Sequence, residues 1–116
     1  MSAAVYDLYI EQGATFTQPL VWNDGAGDPV DLTGYTARMQ FRSSVNSSTV
    51  LFSATTENGR IALGGSLGTV DITIDADDTA AFGFVSAVYD LELESASGFV
   101  TRLLEGGVEV SKEVTR

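Results

Sequence analysis

The chain has 116 residues, 44% of them hydrophobic and 19% charged, with 16 acidic against 6 basic side chains and a formal charge of −10. That balance describes one globular domain over residues 1–116, able to take roughly two thirds of its unfolded surface out of water without covalent staples. With neither cysteine nor histidine, disulfides, thiolate metal sites and imidazole catalysis are excluded, and the negative charge would repel a nucleic-acid backbone or an anionic membrane.

The N-terminus has no basic stretch followed by an apolar run, and no segment approaches the roughly 20 apolar residues of a membrane helix. The expectation is synthesis in the cytoplasm, with export only as part of a larger assembly. From Val5 to Glu11, Tyr6, Leu8 and Ile10 alternate with Val5, Asp7 and Tyr9, a strand that Gly13 closes. Tyr6 belongs with the core residues and Tyr9 with the exposed ones. Thr15 to Trp22 is the next strand, with Phe16, Leu20 and Trp22 on one face, and Pro19 inside it points to a sheet edge or a bulge. These two strands are expected to form an edge of the fold together.

Residues 23–34 are dense in turn formers and read as a loop carrying Asp24, Asp28 and Asp31. Tyr35 to Arg42 alternates Ala37, Met39 and Phe41 against Thr36, Arg38, Gln40 and Arg42, a half-buried strand whose wet face holds two of the 6 basic residues. Shorter strands follow at Thr49 to Ala54 and Arg60 to Leu63, and then Thr69 to Ile74 places Val70, Ile72 and Ile74 on one β-branched face. Asp75 to Phe82 is the one helical stretch, short because Gly83 ends it.

The strongest pattern is a hairpin. Val85, Ala87, Tyr89, Leu91 and Leu93 fall on every second position up to Glu94, and Ser97-Gly98 supplies the turn. A two-residue loop pairs Leu91 with Leu104, Ala87 with Val108 and Val85 with Val110, but points Arg102 inward and sets Asp90 against Glu105. A three-residue loop with Gly98 as a bulge pairs Leu91 with Leu103 instead, and Gly106-Gly107 could absorb the change of phase.

Candidate chemistry is sparse. Asp75, Asp77 and Asp78 could offer carboxylates to Ca²⁺, but capping of the short helix explains them better, and the aspartates at 24, 28 and 31 are ordinary turn residues. No cofactor or metal is therefore expected. Glu92 with Glu94, or Glu105 with Glu109, could be imagined as an acid and base for glycoside cleavage, yet they occupy alternate wet positions of the hairpin. The serines and threonines lack any base to activate them, and no phosphate-binding glycine loop is present. Tyr9 and Trp22, with the loop aspartates, are the candidates for a partner or sugar surface.

About seven to eight short strands, separated by turns and one helical turn, indicate an all-β antiparallel sandwich rather than βαβ units. The order of strand, acidic helical turn and a strand bearing Tyr89 two residues before Leu91 resembles the corner of immunoglobulin-like domains, where a tyrosine hydroxyl ties the turn to the next strand. Three stretches carry a closer resemblance: Asp31 to Arg42, Gly59-Arg60-Ile61 with Gly68 to Ile74, and Tyr89 to Leu93 continuing through Gly98 to Arg116. In that order they resemble the small immunoglobulin-like domain at the N-terminus of phage baseplate upper proteins and in small tail-tip or collar proteins of tailed phages. The resemblance covers about Tyr6 to Arg116. It implies a non-enzymatic virion structural protein that docks on other tail, neck or fibre components in several copies, by strand addition or through its C-terminal Val-Thr-Arg end. No fibre domain follows Arg116, so the expectation is a stand-alone adaptor. The alternatives are a carbohydrate- or receptor-binding module and a capsid decoration protein.

Overall fold

The computed structural model describes residues 3–115. In chain order its elements are β1 (Ala4–Val5), β2 (Leu8–Glu11), β3 (Phe16–Val21), β4 (Thr36–Arg42), β5 (Phe52–Thr55), β6 (Ile61–Leu63), β7 (Thr69–Ile74), α1 (Ala76–Ala80), β8 (Ser86–Glu94) and β9 (Val100–Ser111). Two sheets face each other. The larger runs β1-β9-β8-β4-β5 with β2 also on β9, and the smaller runs β3-β7-β6. All pairings are antiparallel except those of β1 and β2, which run parallel to β9. The first two expected strands therefore do not form one edge together: β2 joins the larger sheet and β3 the smaller.

Alternation placed the core correctly. Leu8 and Ile10, Ala37, Met39 and Phe41, Val70, Ile72 and Ile74, and Ala87, Tyr89, Leu91 and Leu93 are all buried between the sheets. Burial of each large side chain contributes roughly 1.5–3 kcal/mol. Phe41 is fully buried and sits among the rings of Phe52, Phe82, Phe84 and Tyr89 at centroid distances of 5.5–6.3 Å. Two residues assigned to the apolar side are instead wet. Val85 precedes the first residue of β8 and is 57% exposed, and Tyr6 is 46% exposed.

The hairpin uses both registers. Near its turn the pairs are Glu94 with Val100, Leu93 with Thr101 and Glu92 with Arg102, around a loop of residues 96–98 whose Gly98 has φ +89°. Beyond a bulge they become Leu91 with Leu104 and Ala87 with Val108. The extra residue is Leu103, so the glycines do not absorb the phase change. The bulge turns Arg102 out to solvent, removing the buried cation that an unbroken two-residue register would have imposed.

Gly106 has a different task. A Cβ there would overlap the carbonyl of Tyr6, so only glycine lets the N-terminal segment lie this close to β9. The expected strand from Val5 to Glu11 breaks at this seat. The Gly107 N–H donates to Asp7 Oδ1 at 2.9 Å, and the Tyr89 hydroxyl donates to the Tyr6 carbonyl at 2.6 Å. Tyr89 thus latches the N-terminal segment rather than the helical corner. Burial, and then the neighbouring Asp7, push its hydroxyl well above the usual phenol range, so it stays a donor.

The helical corner is held by Thr79, which is fully buried: its hydroxyl donates to Ala14 O at 2.8 Å and accepts from Gly13 N at 3.0 Å. Asp75 stands at the N-cap position without a side-chain cap bond, contrary to the capping expectation.

Two of the outer strands have blocked edges. In β3 the Trp22 N–H donates to Gly68 O, so by alternation the N–H groups of even residues face β7 and position 19 faces outward. Pro19 therefore removes a donor only from the open side. At β5, Asn58 Nδ2 and Arg60 Nη1 both donate to Ser53 O at 3.1 Å, and Asn58 Oδ1 accepts from Thr55 N at 3.0 Å. These side chains occupy the groups that an added strand would need.

Candidate protein-binding face

The outer face of the larger sheet gathers charge that the sequence spreads over three segments. Arg38 and Arg42 project from β4, Asp90 and Glu92 from β8, and Arg102 and Glu105 from β9. Register brings them together: Arg38 pairs with Glu92, and Asp90 with Glu105. Arg38 spans two carboxylates, Nε to Glu92 and Nη1 to Glu94, both at 2.9 Å, and these bonds raise its already high pKa. Arg102 lies between Asp90 at 3.5 Å and Glu105 at 3.4 Å. Arg42 makes no ion pair among the described residues; it donates to Ser47 O at 2.7 Å and to Gln40 Oε1 at 2.8 Å, fixing the loop after β4.

These side chains rim an open depression of about 610 Å³ that also includes Val88 and Val45. Val45 is 84% exposed and Val88 half-buried, so an apolar patch lies within a charged border. Burial, reinforced by Glu92 and Glu105, raises the Asp90 carboxyl above the usual range against the pull of Arg102 and Arg42. Three of the 6 basic residues of the chain stand on this one face. Arginine is enriched at protein interfaces, and a fixed pattern of both signs selects partner and orientation.

Of the aspartates proposed from sequence, Asp24, Asp31 and Asp78 are otherwise engaged, and Asp28 is exposed in its loop. Asp24 Oδ1 accepts from the N–H groups of Ala26 and Asp28, and Asp31 Oδ1 accepts from the Thr33 hydroxyl and N–H, which lowers its pKa. Asp78 is paired with Arg60 at 3.1 Å, and Arg60 also lies over the Phe52 ring at 4.7 Å. Asp75 and Asp77 are exposed beside it at the start of α1. Among the described residues, no group of three or more acidic side chains converges as a metal site would require. Trp22 is half-buried and meets Tyr35 edge-on at 6.2 Å, whereas Tyr9 is 68% exposed on β2. Trp22 and Tyr9 thus do not share a surface role. Glu92 and Glu105 stand on the charged face as ion-pair partners, and Glu109 lies apart, in register with Tyr9 and Ser86. Of the Val-Thr-Arg end, Arg116 lies outside the described residues.

The arginine-carboxylate pairing was not foreseen as a unit. Alternation gave the facing of Arg38 and Arg42, but pairing required the β4 to β8 register, and Arg102 required the bulge.

No family model matches the chain, and no curated protein matches it in sequence. Among solved structures, the extracellular domain of the voltage-gated sodium channel beta4 subunit, described as forming a parallel homodimer that explains its role in cell-cell adhesion, is similar to it. The TM-score is 0.50 at 12% identity, over 98% of this chain and 97% of that one. The likeness concerns the fold: the chain is an all-β, immunoglobulin-like sandwich. That architecture hosts many activities, so function rests on the surface.

Proposed function

We propose that the protein is a non-enzymatic docking domain, a small adaptor of a tailed-phage tail tip, baseplate or collar that binds other virion proteins in several copies. The observation that carries the docking reading is the outer face of the larger sheet, where Arg38, Arg42 and Arg102 alternate with carboxylates around Val45 and Val88. Such a face offers register and selectivity to a protein partner. It holds no nucleophile with an adjacent base. The cell-cell adhesion role of the sodium channel subunit domain agrees with a binding role for this architecture. The phage assignment comes from the sequence resemblance, whose segments include β4, β7 and the β8–β9 hairpin.

Particles from a strain lacking the gene test it. Negative-stain images should show tails, baseplates or collars missing a component, and supplying the chain in trans should restore it. An Arg38→Glu, Arg102→Glu chain should restore it poorly. Unchanged particles with full infectivity would overturn the reading.

A further inference from the structure

The edge formed by β2 is open where the edges of β3 and β5 are blocked. Gln12 N–H donates to Ser111 O and Tyr6 N–H to Glu105 O, both at 2.9 Å, so by alternation the backbone groups of Leu8 and Ile10 face β9 and those of Tyr9 and Glu11 face outward. Glu11 O is taken by Ala14 N–H at 3.1 Å. That leaves Tyr9 N–H, Tyr9 O and Glu11 N–H directed at solvent along a strand whose inner side chains are buried.

Beside this edge the outer surface has a second depression, about 570 Å³, lined by Tyr9, Glu11, Val85, Ser86, Glu109 and Ser111. Tyr9 is 68% and Val85 57% exposed. Glu11 and Glu109 make no ion pair among the described residues, and Lys112, next along the chain, donates to Phe82 O at 2.9 Å. An aromatic face thus stands between two unpaired carboxylates, with free strand hydrogen bonds alongside.

A second copy is a poor occupant. Pairing two β2 edges about Tyr9 requires odd residues to face odd residues, which sets Glu11 opposite Asp7 twice, on chains that each carry −10. The same charges favour the opposite sign. We infer that the β2 edge receives an extended basic segment of a partner protein as an added strand, with Lys or Arg at alternate positions crossing Tyr9 toward Glu11 and Glu109. Neighbouring strands lie about 4.8 Å apart, so a cation on the added strand is about two strand spacings from the β9 backbone, a gap that extended Arg and Glu side chains close together. The Tyr9 ring beneath adds a cation–π contact. This inference rests on the docking reading and supplies its partner chemistry at a separate surface.

The test uses the whole chain and three blocked hexapeptides: Lys-Val-Arg-Val-Lys-Val, its counterpart with glutamates for the cations, and a scramble of the first with the cations contiguous. By NMR the alternating basic peptide should bind at least tenfold more tightly than either control and slow amide exchange at Tyr9 and Glu11. Tyr9→Pro should abolish this protection, since the lost N–H faces away from β9. Glu11→Gln with Glu109→Gln should weaken binding severalfold, and this pair keeps the test valid should the proline variant fail to fold. Equal binding of the scramble, or shifts confined to β4 and β8, would overturn the inference. So would affinity unaltered by both variants. A Tyr9→Pro chain that restores particles normally would remove the edge inference alone, whereas particles indifferent to the wild-type chain would remove the docking reading and leave the peptide result standing.

Discussion

The two edges of the larger sheet are finished by opposite means. At β5 the chain covers its own edge with side chains: Asn58 satisfies both Ser53 O and Thr55 N, and Arg60 adds a bond to Ser53 while stacked on Phe52 and paired with Asp78. At β1 and β2 the chain invests in the side facing β9, where Gly106, Gly107 and Tyr89 seat the Tyr6-Asp7 break, and leaves the outer side bare. The contrast teaches that exposure of an edge is a local property of the side chains around it, since both strands are four residues long and both flank the same sheet.

Breaking the seat should have the largest effect. Gly106→Ala forces the Tyr6 carbonyl away, at a cost of about 1–3 kcal/mol as for other overpacked sites. Thermal unfolding should show the loss, and hydrogen exchange should place it in β1 and β2. At the other edge, Arg60→Ala removes a cation–π contact, a part-exposed ion pair and a hydrogen bond to Ser53, for about 1–2 kcal/mol. Chemical denaturation should give that difference, and adding Asn58→Ala, which frees both Ser53 O and Thr55 N, should make the chain self-associate more readily; unchanged stability of the first variant and a strictly monomeric double variant would refute the edge-cover account.

Tyr89→Phe leaves the Tyr6 carbonyl without its 2.6 Å donor and should cost about 1 kcal/mol. Exchange should quicken at the Tyr6 amide more than at β5. The smallest effect sharpens the charged face between the two edges. Asp90 binds its proton more tightly in the folded chain than a free carboxyl does, so its ionisation disfavours folding at neutral pH, and this is relieved as pH falls through its raised value. Asp90→Asn should therefore be slightly more stable than wild type at pH 7, by up to about 0.5 kcal/mol, with the gap closing on acidification. A gap that widens instead would show that the Arg102 pair outweighs burial.

Much of this frame is written in period two. The buried residues of β4, β7 and β8 stand where alternation puts them, because each strand has one dry face and a slip would turn its apolar residues to water. Pro19 likewise gave away its edge. What escaped was decided between strands. The hairpin could satisfy either register locally, and a bulge at Leu103 resolved the matter because Arg102 had to reach water. The Tyr6-Asp7 break depends on a carbonyl meeting Gly106, about a hundred residues away, a contact no local pattern encodes. The charged face was half visible: the wet sides of β4, β8 and β9 could be read separately, but their cross-strand pairing could not.

The parallel pairing of β1 and β2 with β9 also sets how the domain carries load. Ala4 lies beside Leu104 and Glu11 beside Ser111, so tension applied ahead of Ala4 and beyond Ser111 slides the strands lengthwise past each other and strains their hydrogen bonds together instead of peeling them singly. The Tyr89 latch and the Gly107–Asp7 bond lie within that same shear zone. Single-molecule pulling along this axis should therefore show one high rupture event, at a lower force in Tyr89→Phe, as expected of a domain that transmits force through its first and last strands.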